Sequence, residues 1–351
     1  MKRFSLLVLV VGLFLFALWR STVLSDTNVV NVYVWGGEVP DSDVAAFQKA
    51  TGIKVNFSTY DSNETLYAKL KASKDNSGYD VIEPSSYYLD RMRREGMVQI
   101  IDKSRLSNYS NLDPEFLHQA YDPQSDYSIP FMWGVTGMFI NTEFFPKDSL
   151  LSWNQLWGKQ YKNKILLLDD PREVFAMALI SLGYPANDNN PDHVKAAYLK
   201  LKKLMPNVRL FNSDADPSLA ADSDVTVGMI WNGDLYNAQS DNANLQFIYP
   251  KEGFVIWVDG FAIPKGAPHL DNAYKFINFM LRGDMAAQAT LQNNYATANI
   301  AAKKLLPANI VNSPIVYPSE AILKHGQFQT DINDQALTLY NHYWELLKVG
   351  A

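Results

Sequence analysis

Hydrophobic and polar positions along this chain alternate between two periods. Val29-Val30-Asn31-Val32-Tyr33-Val34-Trp35 is β-branched and aromatic and predicts a strand, broken by Gly36-Gly37. Asp41 or Ser42 can cap a helix through Ala45, Phe47 and Ala50 that stops at Gly52. Ile53 to Ser58 predicts a second strand, Ser62 caps a helix over Glu64 to Ala72, and Tyr79 to Glu83 predicts a third strand. Pro84-Ser85-Ser86 then turns into a helix from Tyr87 to Glu95, ended by Gly96. Strands and helices in strict alternation imply a parallel sheet covered by helices, with ligands beyond the carboxyl ends of its strands. Trp35, Glu38, Ser85, Ser86 and Tyr87 fall at those ends.

A second α/β region follows. Tyr127 to Pro130, Met138 to Asn141, Lys164 to Leu168, Val225 to Trp231 and Gln246 to Tyr249 predict strands. Helices are predicted over Trp153 to Trp157, from Pro171 to Leu182 before Gly183, over Pro191 to Met205, from about Asp271 to Leu281, over Asp284 to Gln292 and from about Asp331 to Lys348. No repeat and no low-complexity linker separates the regions, so two lobes joined by strands, with a cleft between them, are expected.

The most apolar strand pattern, Val255-Ile256-Trp257-Val258-Asp259-Gly260-Phe261-Ala262-Ile263-Pro264, carries one carboxylate in its middle. Such a run reads as buried on both faces, and Trp257 and Asp259 share one of them. Asp259 must therefore be paired or hydrogen-bonded. It either meets solvent or a distant arginine, or it stands with the indole against a cationic ligand.

Composition narrows the classes. The chain has 351 residues, 47% of them hydrophobic, enough for two lobes with real cores. Met1-Lys2-Arg3, an apolar run from Phe4 to Leu18 and small residues at Val23 and Ser25 have the layout of a signal peptide over residues 1–25. The absence of Cys excludes a lipid-anchored lipoprotein and any disulfide framework. Of 31 Lys and Arg, the leader holds Lys2, Arg3 and Arg20; the 28 that remain face 37 Asp and Glu, a net charge of −9. That balance argues against nucleic acid as a partner.

Catalytic and cofactor signatures are missing. The five His are scattered without metal-ligand spacing, and there is no P-loop, GxGxxG or G-x-S-x-G motif, so no cofactor is expected. Asn212-Ser213-Asp214-Ala215-Asp216 is half a calcium loop, but Pro217 follows and the glycine and distal Glu are missing; no metal is expected there. Asp170 and Glu173 could form an acid–base pair, yet Asp170, Pro171 and Glu173 also spell a helix capping box. Trp35, Trp231 and Trp257 lie where a cleft would open, and aromatics with carboxylates fit sugars or organic cations.

From about Val29 onward the chain resembles the periplasmic spermidine/putrescine-binding proteins of bacterial polyamine ABC transporters. The resemblance rests on long segments, including Tyr60-Asp61-Ser62-Asn63-Glu64-Thr65, Pro84-Ser85-Ser86-Tyr87-Tyr88, Asp170-Pro171-Arg172-Glu173-Val174-Phe175 and Gly228-Met229-Ile230-Trp231-Asn232-Gly233. It implies an α/β two-lobe periplasmic binding protein of type II, each lobe a mainly parallel sheet flanked by helices. It implies an N-terminal lobe of residues 28–127 and 257–303 and a C-terminal lobe of 128–256 and 304–351. The implied protein is non-enzymatic, periplasmic and monomeric, and delivers spermidine or putrescine to a membrane permease. Trp35, Trp231 and Trp257 would hold the methylene chain, and Asp170, Glu173 and Asp259 the amino groups. Ser85, Tyr87, Tyr295 and Gln329 would add polar contacts. Glu38 stands where the family has a tyrosine, a fourth carboxylate at the site. Asp234 follows Trp231-Asn232-Gly233, where putrescine-preferring relatives often have a carboxylate and spermidine-preferring ones tend to lack it.

Overall fold

The structure is a computed structural model and describes residues 28–213 and 225–349. The leader expected at 1–25 and the half calcium loop from Asp214 onward lie outside these residues.

Strands β1 (Val29–Trp35), β2 (Lys54–Tyr60) and β3 (Val81–Ile82) form a parallel sheet in the order β2-β1-β3. Three helices follow these strands: Asp41–Thr51, Asn63–Ser73 and Ser86–Arg94. Gly52 ends the first at φ 71°, its N–H returning to the Gln48 carbonyl, a left-handed stop that glycine adopts without a Cβ penalty. Ser62 caps the second by accepting from the Thr65 N–H. The cap predicted at Asp41 or Ser42 is not made. Pro40 occupies that position, and Asp41 and Asp43 instead place negative charge in the first turn, where the helix dipole favours it.

The two strands predicted at Tyr127–Pro130 and Met138–Asn141 are one continuous strand, β4 (Ile129–Asn141), buried along all 13 residues. Its glycines mark close approach, not interruption. A Cβ on Gly134 would stand 2.3 Å from Cζ2 of Trp257, and one on Gly137 2.4 Å from Cζ of Phe247. The remaining strands are β5 (Ile165–Leu167), β6 (Val208–Phe211), β7 (Val227–Trp231), β8 (Leu245–Ile248), β9 (Phe254–Phe261), β10 (Ala296–Thr297) and β11 (Gly326–Phe328). They build a mixed sheet in the order β11-β9-β4-β7-β5-β6, with β8 and β10 also paired to β4. β5 runs parallel to β6 and β7, whereas β4 is antiparallel to β7, β8, β9 and β10.

β4 and β9 join the two halves. They pair from Ile129 opposite Phe261 to Thr136 opposite Val255; Asp259 of β9 also bridges Ser85, and Ala262, just beyond β9, bridges Ile82 of the first sheet. One core, around Val32, Phe47, Leu66, Ile82, Phe261 and Phe276, lies under the first sheet. A second, around Leu167, Phe175, Leu201, Met229 and Tyr340, lies under the other.

Candidate functional site

Between the halves lies a cavity of about 420 Å³. All the candidate residues except Ser86, whose hydroxyl donates to the Gln329 carbonyl, line it, although they come from most of the length of the chain. Trp35 ends β1 and Glu38 follows in the next turn. Ser85 and Tyr87 stand at the start of the helix Ser86–Arg94. Asp170 and Glu173 open the helix Pro171–Ile180, Trp231 ends β7, and Asp234 lies in the first turn of the helix Asn232–Asp241. Trp257 and Asp259 share one face of β9, as the two-residue period requires. Tyr295 follows the helix Gly283–Asn293 and Gln329 follows β11.

Among the described residues six acids line the cavity, Glu38, Asp61, Asp170, Glu173, Asp234 and Asp259, and no Lys, Arg or His does. At one end Glu38 and Asp259 face each other, with the buried Glu83 behind them. Burial, then the charge of Asp259 and of Glu83, holds the Glu38 carboxyl well above the usual carboxylate range. Burial and the Asp259 charge do the same for Glu83. Asp259 is pushed up to about 6 by burial, against the opposing hydrogen bond from Ser85.

Asp170 and Glu173 stand elsewhere along the wall. Oδ1 of Asp170 accepts the N–H of Arg172 at 2.7 Å and of Glu173 at 3.0 Å, so the predicted helix cap is made. Its other oxygen, Oδ2, accepts from the Tyr87 hydroxyl at 3.3 Å. The reciprocal half of the capping box is absent from the hydrogen bonds: Oε2 of Glu173 is buried without a partner. Burial and the Asp170 charge raise Glu173 to about 8. Burial raises Asp234 to about 7, although the Tyr295 hydroxyl donates to its Oδ1 at 2.5 Å.

The aromatic wall is packed in place. Trp257 meets Tyr295 edge to face at 5.0 Å between ring centres, and Trp35 leans on Tyr60 at 4.8 Å. The indole N–H groups of Trp35, Trp231 and Trp257, and both side-chain polar atoms of Gln329, are buried without partners. These N–H, amide and carboxyl groups give the cavity wall both donors and acceptors beside its aromatic rings.

Sequence reasoning missed residues that orient this surface. Asn63 donates to Ser85 Oγ at 3.0 Å and to the Tyr87 hydroxyl at 3.2 Å, and accepts the Ser85 N–H at 3.1 Å. Asn293 donates to the Glu38 carbonyl at 3.0 Å. In the sequence Glu83 is only the end of a predicted strand. An Asn beside a helix start looks like a cap, and nothing local distinguishes it from one that reaches a partner more than twenty residues away.

The chemistry available is recognition of a cation. Carboxylates attract it, indole faces stabilise it, and the apolar ring area suits methylene groups. Comparison with known proteins agrees in fold and sequence. A profile of the bacterial extracellular solute-binding protein family matches residues 44–316. The chain is 46% identical over 325 residues to the spermidine/putrescine-binding periplasmic protein of Escherichia coli K12, covering 93% of each. It is 35% identical over 359 residues to a putrescine-binding periplasmic protein of the same organism, covering 96% of this chain and 95% of that one. Among solved structures, a putative spermidine/putrescine ABC transporter protein of Listeria monocytogenes superposes with a TM-score of 0.88 at 36% identity, covering 92% of this chain and 100% of the other. The architecture is that of the type II periplasmic binding proteins.

Proposed function

The chain belongs to the bacterial extracellular solute-binding proteins, and from that premise we propose that it is the polyamine-capturing subunit of an ABC importer. It acts outside the cytoplasm, in the periplasm, as a monomer that closes on spermidine or putrescine and hands it to a membrane permease. It performs no chemistry on its cargo. One observation carries the reading: among the described residues, six carboxyls and three indoles line one cavity and no basic side chain does.

A linear polyamine needs an anion at each end and an apolar tunnel between. Glu38 and Asp259 take one ammonium, Asp170 and Glu173 take the other, and Trp35, Trp231 and Trp257 cover the methylenes. Each ammonium–carboxylate contact at about 4 Å is worth about 4 kcal/mol of Coulomb energy at an effective dielectric near 20, before desolvation. Cation–π contact adds roughly 0.5–2 kcal/mol per ring. Putrescine, with about six heavy atoms, is capped near −9 kcal/mol, around micromolar, and spermidine has room to bind more tightly. The extra carboxyls Glu38 and Asp234 leave both amines within reach of this site. Thermal melting with spermidine, putrescine and a panel of neutral sugars tests the proposal. The amines raise the melting temperature and the sugars leave it alone; a flat response to millimolar polyamine would sink it.

A further inference from the structure

Glu83 is not part of the cavity wall, and polyamine capture as set out above leaves it without a task. It is fully buried and neither of its carboxyl oxygens has a hydrogen-bond partner. Its carboxyl lies within hydrogen-bonding reach of Glu38, and Glu38 in turn of Asp259. Between ionised carboxylates there is no donor, which is why Glu83, Glu38 Oε2 and Asp259 Oδ1 are all unmatched.

The surroundings supply little relief. From the helix start comes the Ser85 hydroxyl, which faces Asp259. From β2 comes Tyr60, whose hydroxyl donates to the Glu83 carbonyl and not to its carboxyl. Tyr121 and Tyr295 are the other titratable groups facing the cluster, and both are neutral at physiological pH. Among the described residues no Lys, Arg or His makes an ion pair or hydrogen bond with any of these three carboxyls, and none is among the leading influences on them. Among the described residues no group of acidic side chains is set to hold a metal ion. A buried cluster of this kind is tolerable only if protons, or a guest's N–H groups, stand between its oxygens.

We propose that Glu83 is a positioning residue for the ligand: with Glu38 and Asp259 it forms a carboxyl relay that holds protons while the cavity is empty and exchanges them for a polyamine's terminal N–H groups. The inference rests on the polyamine reading above. No covalent bond changes. The ammonium arrives fully protonated and donates to the carboxylates, and the displaced protons leave to solvent. Glu83 acts through Glu38, since its negative charge strengthens the hold of Glu38 on the shared proton. The relay also sets a rule for the guest. A primary ammonium or a guanidinium brings donors of its own, whereas a trimethylammonium end brings none and leaves the carboxyls unmatched. The raised proton affinity of Glu38 and Glu83 agrees with this arrangement.

Calorimetry of spermidine and putrescine binding, in two buffers of different protonation enthalpy between pH 6 and 8, counts the protons released. The native protein is expected to release a substantial fraction of a proton per ligand, and its affinity to rise with pH, up to about tenfold per pH unit for each proton released. Glu83→Gln still binds but releases fewer protons and has a flatter pH profile, and Glu83→Asp restores both. Glu38→Gln, checked for a native-like melting curve, is expected to show the same loss of proton release. Binding with unchanged proton release in Glu83→Gln, or no release from the native protein, overturns the relay while leaving polyamine capture standing. Absence of binding by both amines overturns polyamine capture and the relay together.

Discussion

Asp259→Asn removes one negative charge and preserves the shape of the side chain. Asp259 is 4% exposed, on a strand with every residue buried, and no basic side chain offsets it. In the free protein the carboxylate meets the Ser85 hydroxyl and Glu38. Asn can still accept from Ser85 and no longer repels Glu38 and Glu83. The free variant is therefore expected to fold and to melt no lower than the native protein. The complex loses a charge-assisted hydrogen bond to an ammonium. The Coulomb contact of about 4 kcal/mol is an upper bound, because the native carboxylate gives up part of it in desolvation. Hydrogen bonds to charged groups contribute about 1.5–3 kcal/mol net, so affinity is expected to fall roughly 10- to 150-fold. Calorimetric titration with spermidine gives the affinity, and a melting curve of the ligand-free variant checks the fold. A dissociation constant within twofold of native, in a variant that melts normally, would show that Asp259 takes no part in holding the cation.

Other expectations follow from the same geometry. Glu173, Asp234 and Asp259 are held at about 8, 7 and 6, above their values in an unfolded chain, and Glu38 and Glu83 are raised as well. The folded state then binds more protons than the unfolded one, so the ligand-free protein loses stability as pH rises from about 5 to 8. Saturating polyamine should flatten that slope, as differential scanning calorimetry at several pH values can show. Asp170→Asn should keep the helix cap through Oδ1 while losing ligand affinity by tenfold or more, whereas Asp170→Ala should lose affinity and about 1 kcal/mol of stability as well; equal melting of the two variants would argue against the cap. Gly134→Ala drives a methyl into the Trp257 ring and the Asn232 side chain, so it should cost about 1–3 kcal/mol and weaken binding; a native-like affinity would mean that Trp257 can move freely.

Much of this protein is legible from neighbouring residues. Alternating apolar runs and the glycine and serine punctuation between them place β1, β2 and the helices Asn63–Ser73 and Pro171–Ile180 to within a residue or two. Helical and strand periods, caps and left-handed stops are set by side chains within about four positions of each other, and such signals survive in a linear string. The apolar strand around Asp259 likewise announces its own burial, because no partner for the carboxylate is in reach along the chain.

Other features exist only through contacts between distant segments. β4 reads as two strands, Tyr127 to Pro130 and Met138 to Asn141, and only the tertiary packing of the Trp257 and Phe247 rings against Gly134 and Gly137 between them reveals one continuous strand. Asn63 resembles a capping residue until the fold places it against Ser85 and Tyr87. Glu38, Glu83 and Asp259 are separated by up to about 220 residues, so no local pattern marks them as a cluster. What the amino-acid order determined by itself was the inventory, two α/β regions and a set of carboxylates and indoles at strand ends. Which carboxyls lie close enough to act on one another was decided by β9 crossing beside β3 and β4, since electrostatic coupling depends on distance in space and not along the chain.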